Sequence, residues 1–180
     1  GAQRGELRRA LAEAGRLPPL LVEAELEPAL LRGDRARLAV AADEERLPFG
    51  PGRFDAVFSV LALHWVNDLP GTLAQARWSL KPDGLFLAAF PGGRTLGELR
   101  WALTQAELEL EGGAALRVPP FVDVRDAGAL LQRAGFALPV ADLDRITVRY
   151  REPFRLIQDL RAMGEANVAR GQRRLRPEVL

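Results

Sequence analysis

A glycine pair and two acidic positions have the residue types and spacing to do chemistry. Gly1 and Gly5 precede a helical segment. Glycine lets a backbone turn tightly and lets a ligand approach it closely. A helix start adds unpaired N–H groups. Twenty residues beyond Gly5, Glu25 closes a short apolar run. A carboxylate at a strand end can accept hydrogen bonds from both hydroxyls of a ribose. Asp43, within Ala42-Asp43-Glu44-Glu45-Arg46-Leu47-Pro48-Phe49, follows a second apolar run. A carboxylate there can accept from an exocyclic adenine amine. Each position also has a plainer reading: a tight turn for the glycines, a surface acid for Glu25, a solvated charge run for Asp43-Glu44-Glu45. Their succession favours the ligand reading. All three fall at the C-terminal ends of successive strand positions, if a strand precedes Gly1, and open α/β sheets bind ligands at that edge.

The elements that must position these groups can be read from periodicity. Glu6 to Ala14 has a helical apolar face with Gly15 as its stop. Leu20 to Ala24 reads as a buried strand after Pro18-Pro19, Pro28 to Leu31 as a short helix, and Arg37 to Ala41 as a second strand. Phe54 to Val60 is the strongest strand candidate. A helix from Asp68 to Leu80 follows, with Pro70 in its first turn, where a missing N–H costs nothing. Lys81-Pro82-Asp83-Gly84 reads as a turn before a strand from Leu85 to Phe90. Thr95 and Glu98 have capping-box spacing for a helix reaching Glu111, and Asp123 caps another reaching Ala134, with Gly135 as its stop. Phe136 to Ala141 and Ile146 to Tyr150 are expected to form a hairpin, before a last helix from Pro153 to Met163 and an arginine-rich tail from Gly171. The expected fold is a single Rossmann-like α/β domain over residues 1–180, its sheet mostly parallel with an antiparallel end.

Composition narrows the chemistry. The chain has 180 residues, 48% hydrophobic and 27% charged, with a net charge of +1. No global field draws it to nucleic acid or to anionic membrane. It has no cysteine, which excludes thiol catalysis, zinc ribbons and disulfide scaffolds. Its one histidine, His64, excludes a multi-histidine metal centre. Apolar stretches fall far short of the roughly 20 residues of a membrane span, and no targeting segment is visible. Lys81 is the sole lysine among 25 basic residues, which reads as codon bias in a GC-rich, bacterial genome. A cytoplasmic setting is expected.

The succession of elements resembles the class I S-adenosylmethionine-dependent methyltransferases. The matching stretches are the Gly1–Gly5 loop, Glu25-Leu26-Glu27-Pro28, Asp43-Glu44 with Leu47-Pro48-Phe49, Phe54-Asp55-Ala56-Val57-Phe58-Ser59, and Leu80-Lys81-Pro82-Asp83-Gly84. Leu63-His64-Trp65-Val66-Asn67-Asp68-Leu69-Pro70 is similar to the malonyl-acyl-carrier-protein methyltransferases of biotin synthesis. It is more similar still to a related mitochondrial complex I assembly factor, described as a protein arginine hydroxylase. The stretches from Gly92 to Arg100 and from Asp159 to Asn167 resemble that assembly factor in particular.

The resemblance implies S-adenosylmethionine as cofactor and assigns roles by position. Gly1 and Gly5 would cradle its amino-acid part. Glu25 would bind the ribose and Leu26 would pack on adenine. Asp43 would meet the adenine amine, with the Glu44 backbone nearby. Ala62 and Leu63 would line the floor beside the methionine portion. Two departures stand out: Gln3 occupies the place of a middle glycine, and the strand that precedes the loop in the family is absent, so the chain reads as truncated at both ends.

Several functions stay open on the sequence. Methyl transfer to a small-molecule, carrier-linked or protein substrate comes first. Resemblance to the assembly factor implies instead hydroxylation of a respiratory-complex subunit, although one histidine cannot supply the two of the usual iron facial site. A binding module that keeps the fold without catalysis is the third. His64 reads either as a general base near neutral pH or as a packed ring. Methyl transfer needs mainly alignment, and a carboxylate acceptor needs no base. Arg94 and Arg100 either bind an acidic substrate or face solvent, and the three tryptophans read as core or pocket wall.

Overall fold

A computed structural model describes residues 5–31 and 38–165 of the chain. Gly1, Gln3 and the tail beyond Gly171 lie outside the described residues. Helix α1 (Glu6–Glu13) starts at Gly5 and is followed by strand β1 (Val22–Glu25), a 3-10 turn (Pro28–Leu31) and strand β2 (Leu38–Ala41). Strand β3 (Phe54–Val60), a 3-10 turn (Leu63–Trp65), helix α2 (Leu69–Ser79) and strand β4 (Leu80–Ala89) come next. Helices α3 (Gly97–Glu111), α4 (Val124–Arg133) and α5 (Pro153–Ala162) complete the order.

Among the described residues, β1 pairs with β2 and β3 pairs with β4, both in parallel. Parallel neighbours need a crossover between them. For β3 and β4 that crossover is α2, and the unit is the βαβ motif of α/β folds. The chain groups into two compact units. One runs through Gly92 and resumes over Val122–Asp142; the other holds Gly93–Phe121 and the chain from Leu143.

In the first unit Leu63, Leu69 and Leu73 form the buried centre, flanked by Phe86, Leu130 and Phe136. The Phe86 and Phe136 rings lie 5.0 Å apart. Removing each leucine from water contributes about 2 kcal/mol. Helix α2 presents Leu69, Leu73 and Ala76 to this centre, at helical spacing. Asp68 caps it by accepting from the Gly71 amide at 2.9 Å. Asp123 caps α4 by accepting from Arg125, and Gly135 ends that helix at φ 87°. In the second unit Leu103 and Val118 are buried with Leu99, Ala106 and Phe121 around them.

Four expectations need correction. The antiparallel end is not seen: neither Phe136–Ala141 nor Ile146–Tyr150 forms a ladder. Leu138, Val140 and Ile146 are 92%, 85% and 82% exposed. An alternating apolar pattern makes a strand only where a partner edge accepts it, and Pro139 removes one donor. Second, the expected turn at residues 81–84 is a bulge inside β4. Phe54 pairs with Leu80 and Ala56 with Leu85, so the residues between bulge outward, with Asp83 at φ 58°. Lys81 closes the bulge on Asp55 at 2.8 Å. Third, α3 has no capping box. It begins at Gly97, and the residue before it, Leu96, is left-handed at φ 54° with no side-chain cap. A turn from Arg94 to Gly97 carries the chain in instead. Fourth, β1 starts two residues later than the apolar run suggests, and Leu20 is 69% exposed. The buried face of β1 carries Glu23 and Glu25 rather than its apolar residues.

Candidate functional site

The site lies in the first unit, at the C-terminal ends of its strands. Glu25 is the last residue of β1 and is 9% exposed. Its Oε1 accepts from the Leu26 amide at 3.1 Å, which holds the carboxylate at the strand tip. Leu26 itself is exposed beside it. Glu25 is in register with Ala41, and the Ala42 amide donates to the Glu25 carbonyl at 3.0 Å. Asp43 therefore leaves β2 next to the tip of β1. The chain then turns tightly: Asp43 Oδ1 accepts from the Glu45 amide at 2.8 Å, and its carbonyl accepts from Arg46 at 3.0 Å. Asp43 remains exposed and Glu44 is half-buried.

The end of β3 contributes a second segment. Leu61 takes a left-handed conformation, φ 50°, and its amide donates to the Ala89 carbonyl at 2.8 Å. Such a conformation is uncommon for a leucine and stores strain. It turns the chain so that Ala62 and Leu63 are buried at 6% and 4% exposure. The Trp65 amide donates to the Ala62 carbonyl at 3.0 Å, closing the short turn that carries His64. The His64 ring is half-buried, tilted 43° to Trp65 with centroids 5.2 Å apart.

Glu45 joins the two segments. Its Oε1 accepts from the Asn67 backbone amide, from Asn67 Nδ2 at 3.0 Å and from the Asp68 amide at 3.4 Å. The Asn67 amide holds the Glu45 carboxyl below the usual carboxylate range, as a donor to the charged form does. Gln75 on α2 completes the tie. Its Nε2 donates to the Glu45 carbonyl at 2.8 Å, and its Oε1 accepts from the Leu47 amide at 3.0 Å. Glu45 and Gln75 were not among the residues expected from the sequence. A glutamate within a charge run looks solvated, and only the fold brings it to a helix start 22 residues away.

The structure thus places Glu25 and Asp43 on adjacent strand tips, and ties the Asp43–Glu44 turn to the segment that follows Leu63. Gly5 starts α1 at φ 83°, a conformation that suits glycine. Arg100 belongs to the second unit and is engaged there. It donates to the Val118 and Pro119 carbonyls at 3.2 and 2.8 Å and lies over the Phe121 ring. Arg94 is exposed. Trp78 and Trp101 are 56% and 68% exposed, so neither is a core residue, whereas Trp65 is half-buried.

A ligand with vicinal hydroxyls fits the Glu25 tip, because the carboxylate is fixed by its neighbour's amide. Asp43 is exposed, and its Oδ1 is engaged by the Glu45 amide. Leu26 is an exposed apolar side chain, while Ala62 and Leu63 are buried. No group of three metal-ligating side chains occurs among the described residues. No helix among them is long and apolar enough to cross a membrane.

Comparison with known proteins bears on the family and the fold. Residues 1–88 match the family described as a methyltransferase domain. The human protein called arginine-hydroxylase NDUFAF5, mitochondrial, is 52% identical over 132 residues, which are 73% of this chain and 38% of that protein. A malonyl-[acyl-carrier protein] O-methyltransferase from Laribacter hongkongensis is 38% identical over 169 residues, with 86% of this chain and 55% of that protein covered. The chain spans about two-fifths to just over half of these relatives' lengths. A crystal structure of an S-adenosylmethionine-dependent methyltransferase from Mesorhizobium loti superposes with a TM-score of 0.57 at 17% identity, over 92% of this chain and 82% of that one. The chain has the Rossmann-like α/β fold of the class I methyltransferases and is close to the group that holds both sets of relatives.

Proposed function

We propose that this chain, which carries a methyltransferase domain over residues 1–88, binds S-adenosylmethionine along the rim formed by Glu25, Asp43 and Leu63, as the cofactor-holding part of a methyltransferase. One observation carries the reading: two acids stand on the tips of adjacent parallel strands, joined by the bond from Ala42 to Glu25. The carboxyl edge of an open α/β sheet is where such folds bind ligands. Residues 1–180 are read as one methyltransferase-like domain, with the two units as its parts.

Glu25 would accept hydrogen bonds from the ribose hydroxyls. Asp43 accepts one from the adenine amine, and the Glu44 backbone lies at the ring edge. Leu26 packs on the adenine face. Gly1 and Gly5 give the backbone the close approach needed by the amino-acid end. Ala62 and Leu63 exclude water beside the methionine portion. When bound, the cofactor supplies a methyl group on a sulfonium, already activated for transfer. The protein's part is alignment and a dry surface. His64 takes a proton from the acceptor where that acceptor is an amine or guanidine, and is not required where it is a carboxylate.

The acceptor is a small or carrier-linked acid, or a protein. The carrier-linked choice is supported by the relative called a malonyl-[acyl-carrier protein] O-methyltransferase. A second reading, hydroxylation of a protein arginine on a respiratory-complex subunit, is favoured by 52% identity to the relative called an arginine-hydroxylase. A bacterial cytoplasm is the setting that suits the composition. The third reading, a non-catalytic binding module, draws on Gln3, which stands in the place of the loop's middle glycine.

Titration calorimetry of the intact protein with S-adenosylmethionine tests the cofactor reading. The wild type releases heat, Glu25→Ala weakens binding about tenfold or more, and Asp43→Ala weakens it less, as loss of a charged or a peripheral hydrogen bond predicts. Absence of heat and of any thermal shift would overturn it. Mass spectrometry of the treated acceptor then separates the activities, roughly +14 Da for a methyl group against roughly +16 Da for an oxygen.

A further inference from the structure

The geometry points to Glu45 as a positioning residue. We infer that it locks the Asp43–Glu44 turn to the segment running from Leu63 to Asp68, so that a ligand held at one is felt at the other. This rests on the reading that Asp43 and Glu44 hold the adenine end of the cofactor.

Every polar group of Glu45 is used as a bridge. Its amide donates to Asp43 Oδ1, its carboxylate accepts from Asn67 and Asp68, and its carbonyl accepts from Gln75. The three ties lead to three places. The first is the acid that would meet adenine. The second is the start of α2, just after the His64 turn. The third is the second turn of α2 itself. A carboxylate beside a helix start also meets the positive end of the helix dipole. Asp68, one of its donors, in turn caps α2 through Gly71. The connection is therefore continuous: Asp43 side chain, Glu45 amide, Glu45 carboxylate, Asn67 and Asp68 amides, α2 cap. Each step is a hydrogen bond between groups 22 or fewer residues apart, or, from Glu45 to Asp68, 23 apart in sequence. Neither end moves without stretching it.

The segment it holds is the one a reaction needs. Ala62 and Leu63 form the floor, and His64 and Trp65 stand at its edge on the acceptor side. A clamp between the adenine turn and this segment makes cofactor binding order the acceptor side before the acceptor arrives. Coupling of two sites through one element with a definite set of bonds is reciprocal. Acceptor binding then tightens the hold on the cofactor by the same factor.

Amide hydrogen exchange on the intact protein, with and without S-adenosylmethionine, tests this. In the wild type, the cofactor slows exchange both over residues 43–47 and at the Asn67 and Asp68 amides. Glu45→Ala binds it about five- to tenfold more weakly. At saturation this variant keeps the slowing at 43–47 and loses it at 67 and 68. Glu45→Gln keeps an acceptor oxygen and restores most of both effects, which a merely structural role would not produce. A ligand-free arm judges the clamp alone: Asp43→Ala speeds exchange at Asn67 and Asp68, and does so only while Glu45 is present. Should Glu45→Ala fail to fold, Glu45→Met, which keeps the side chain's length but has no acceptor oxygen, with and without Asp43→Ala gives the same comparison. Protection at 67 and 68 that survives Glu45→Ala, or an Asp43→Ala effect that does not need Glu45, overturns the inference. A wild type that does not bind the cofactor overturns the reading beneath it, while the ligand-free arm still decides the clamp.

Discussion

Two glutamates in this molecule do the same mechanical job in opposite surroundings. Glu45 in the first unit and Glu107 in the second each hold a loop by accepting a backbone amide. Glu45 takes Asn67 and Asp68 at the half-exposed rim of the candidate site. Glu107 takes the Ala115 amide at 2.7 Å and the Arg117 guanidinium, whose Nε lies at 2.6 Å, while itself only 1% exposed. The buried acid has no alternative partner in water, so its loop is fixed whenever the unit is folded. The rim acid can exchange its partners for water at little cost. A tie of the second kind suits a surface that must respond to a ligand, and a tie of the first kind suits a scaffold.

The comparison is broken most directly at Glu107. Glu107→Ala leaves the Arg117 charge, 11% exposed, without its carboxylate. Removing one member of a buried pair costs about 3 kcal/mol or more. A large fall in Tm is expected by thermal denaturation, while Glu45→Ala is expected to lower Tm little. Replacing both members, with Glu107→Leu and Arg117→Met, recovers part of the loss: it removes the unpaired charge but leaves the Ala115 amide without its acceptor. Equal falls for Glu45→Ala and Glu107→Ala would erase the distinction.

Acid sharpens the same contrast. Burial works to raise the Glu107 carboxyl, but the Ala115 amide and Arg117 outweigh it and hold it below the usual carboxylate range. A group whose folded pKa is depressed adds stability above its unfolded pKa and loses it as pH falls through the folded value. Denaturant stability measured from pH 6 downward, roughly the range where glutamates titrate, is expected to fall more steeply in the wild type than in Glu107→Gln. Parallel curves would mean that Glu107 does not carry the effect. Glu45 is also held low, by Asn67, and its loss in acid is expected to show in ligand affinity rather than in unfolding.

These two acids also show how far the sequence was legible. Asp123 was readable as a cap because a cap is local: the acceptor and the Arg125 amide lie two residues apart. Strand β3 was readable because its apolar run is long and bounded by Gly52 and the Ala62 turn. The tips of β1 and β2 were placed by the same logic, and with them Glu25 and Asp43. The clamps were not readable. Glu45 finds Asn67, and Glu107 finds Arg117, only after α2 and α3 have been set in place, and nothing in a charge run says which acid will be chosen. The late hairpin failed for the complementary reason. Alternation at Leu138, Val140 and Ile146 states a preference for a sheet, but no edge among the described residues receives it. The exposed position of Trp78 on α2 shows the same limit: residue type indicates a tendency, and the neighbours decide.

A smaller effect is expected at the cap that the Glu45 clamp adjoins. A Cβ on Gly71 would lie 2.2 Å from Asp68 Oδ2. Gly71→Ala therefore displaces the capping carboxylate, at a cost of about 1 kcal/mol, the usual worth of an N-cap. If the cap and the clamp act together, amide exchange at Asn67 and Asp68 quickens as well. If Gly71→Ala lowers Tm yet leaves those amides protected, the two are independent and the rim is less of a unit than its bonds suggest.

The smallest expected effect on stability falls at Leu61. A left-handed leucine costs about 1 kcal/mol or somewhat more, and glycine there would release it. Glycine also adds freedom to the unfolded chain, at about 0.5–1 kcal/mol, so Leu61→Gly, judged against Leu61→Ala, which gives up the same half-buried side chain but keeps the strain, should differ in stability by only a few tenths of a kcal/mol. Its consequence lies elsewhere. Glycine accepts φ 50° without strain but accepts many other values as readily, so the turn that buries Ala62 and Leu63 loses its definition. Affinity for S-adenosylmethionine should then fall relative to Leu61→Ala while Tm stays nearly constant. That divergence would separate the rim from the Glu107 scaffold most cleanly. In the scaffold, fixing a loop and stabilising the fold are one quantity. At the rim, strain is kept because it sets the floor of a binding surface.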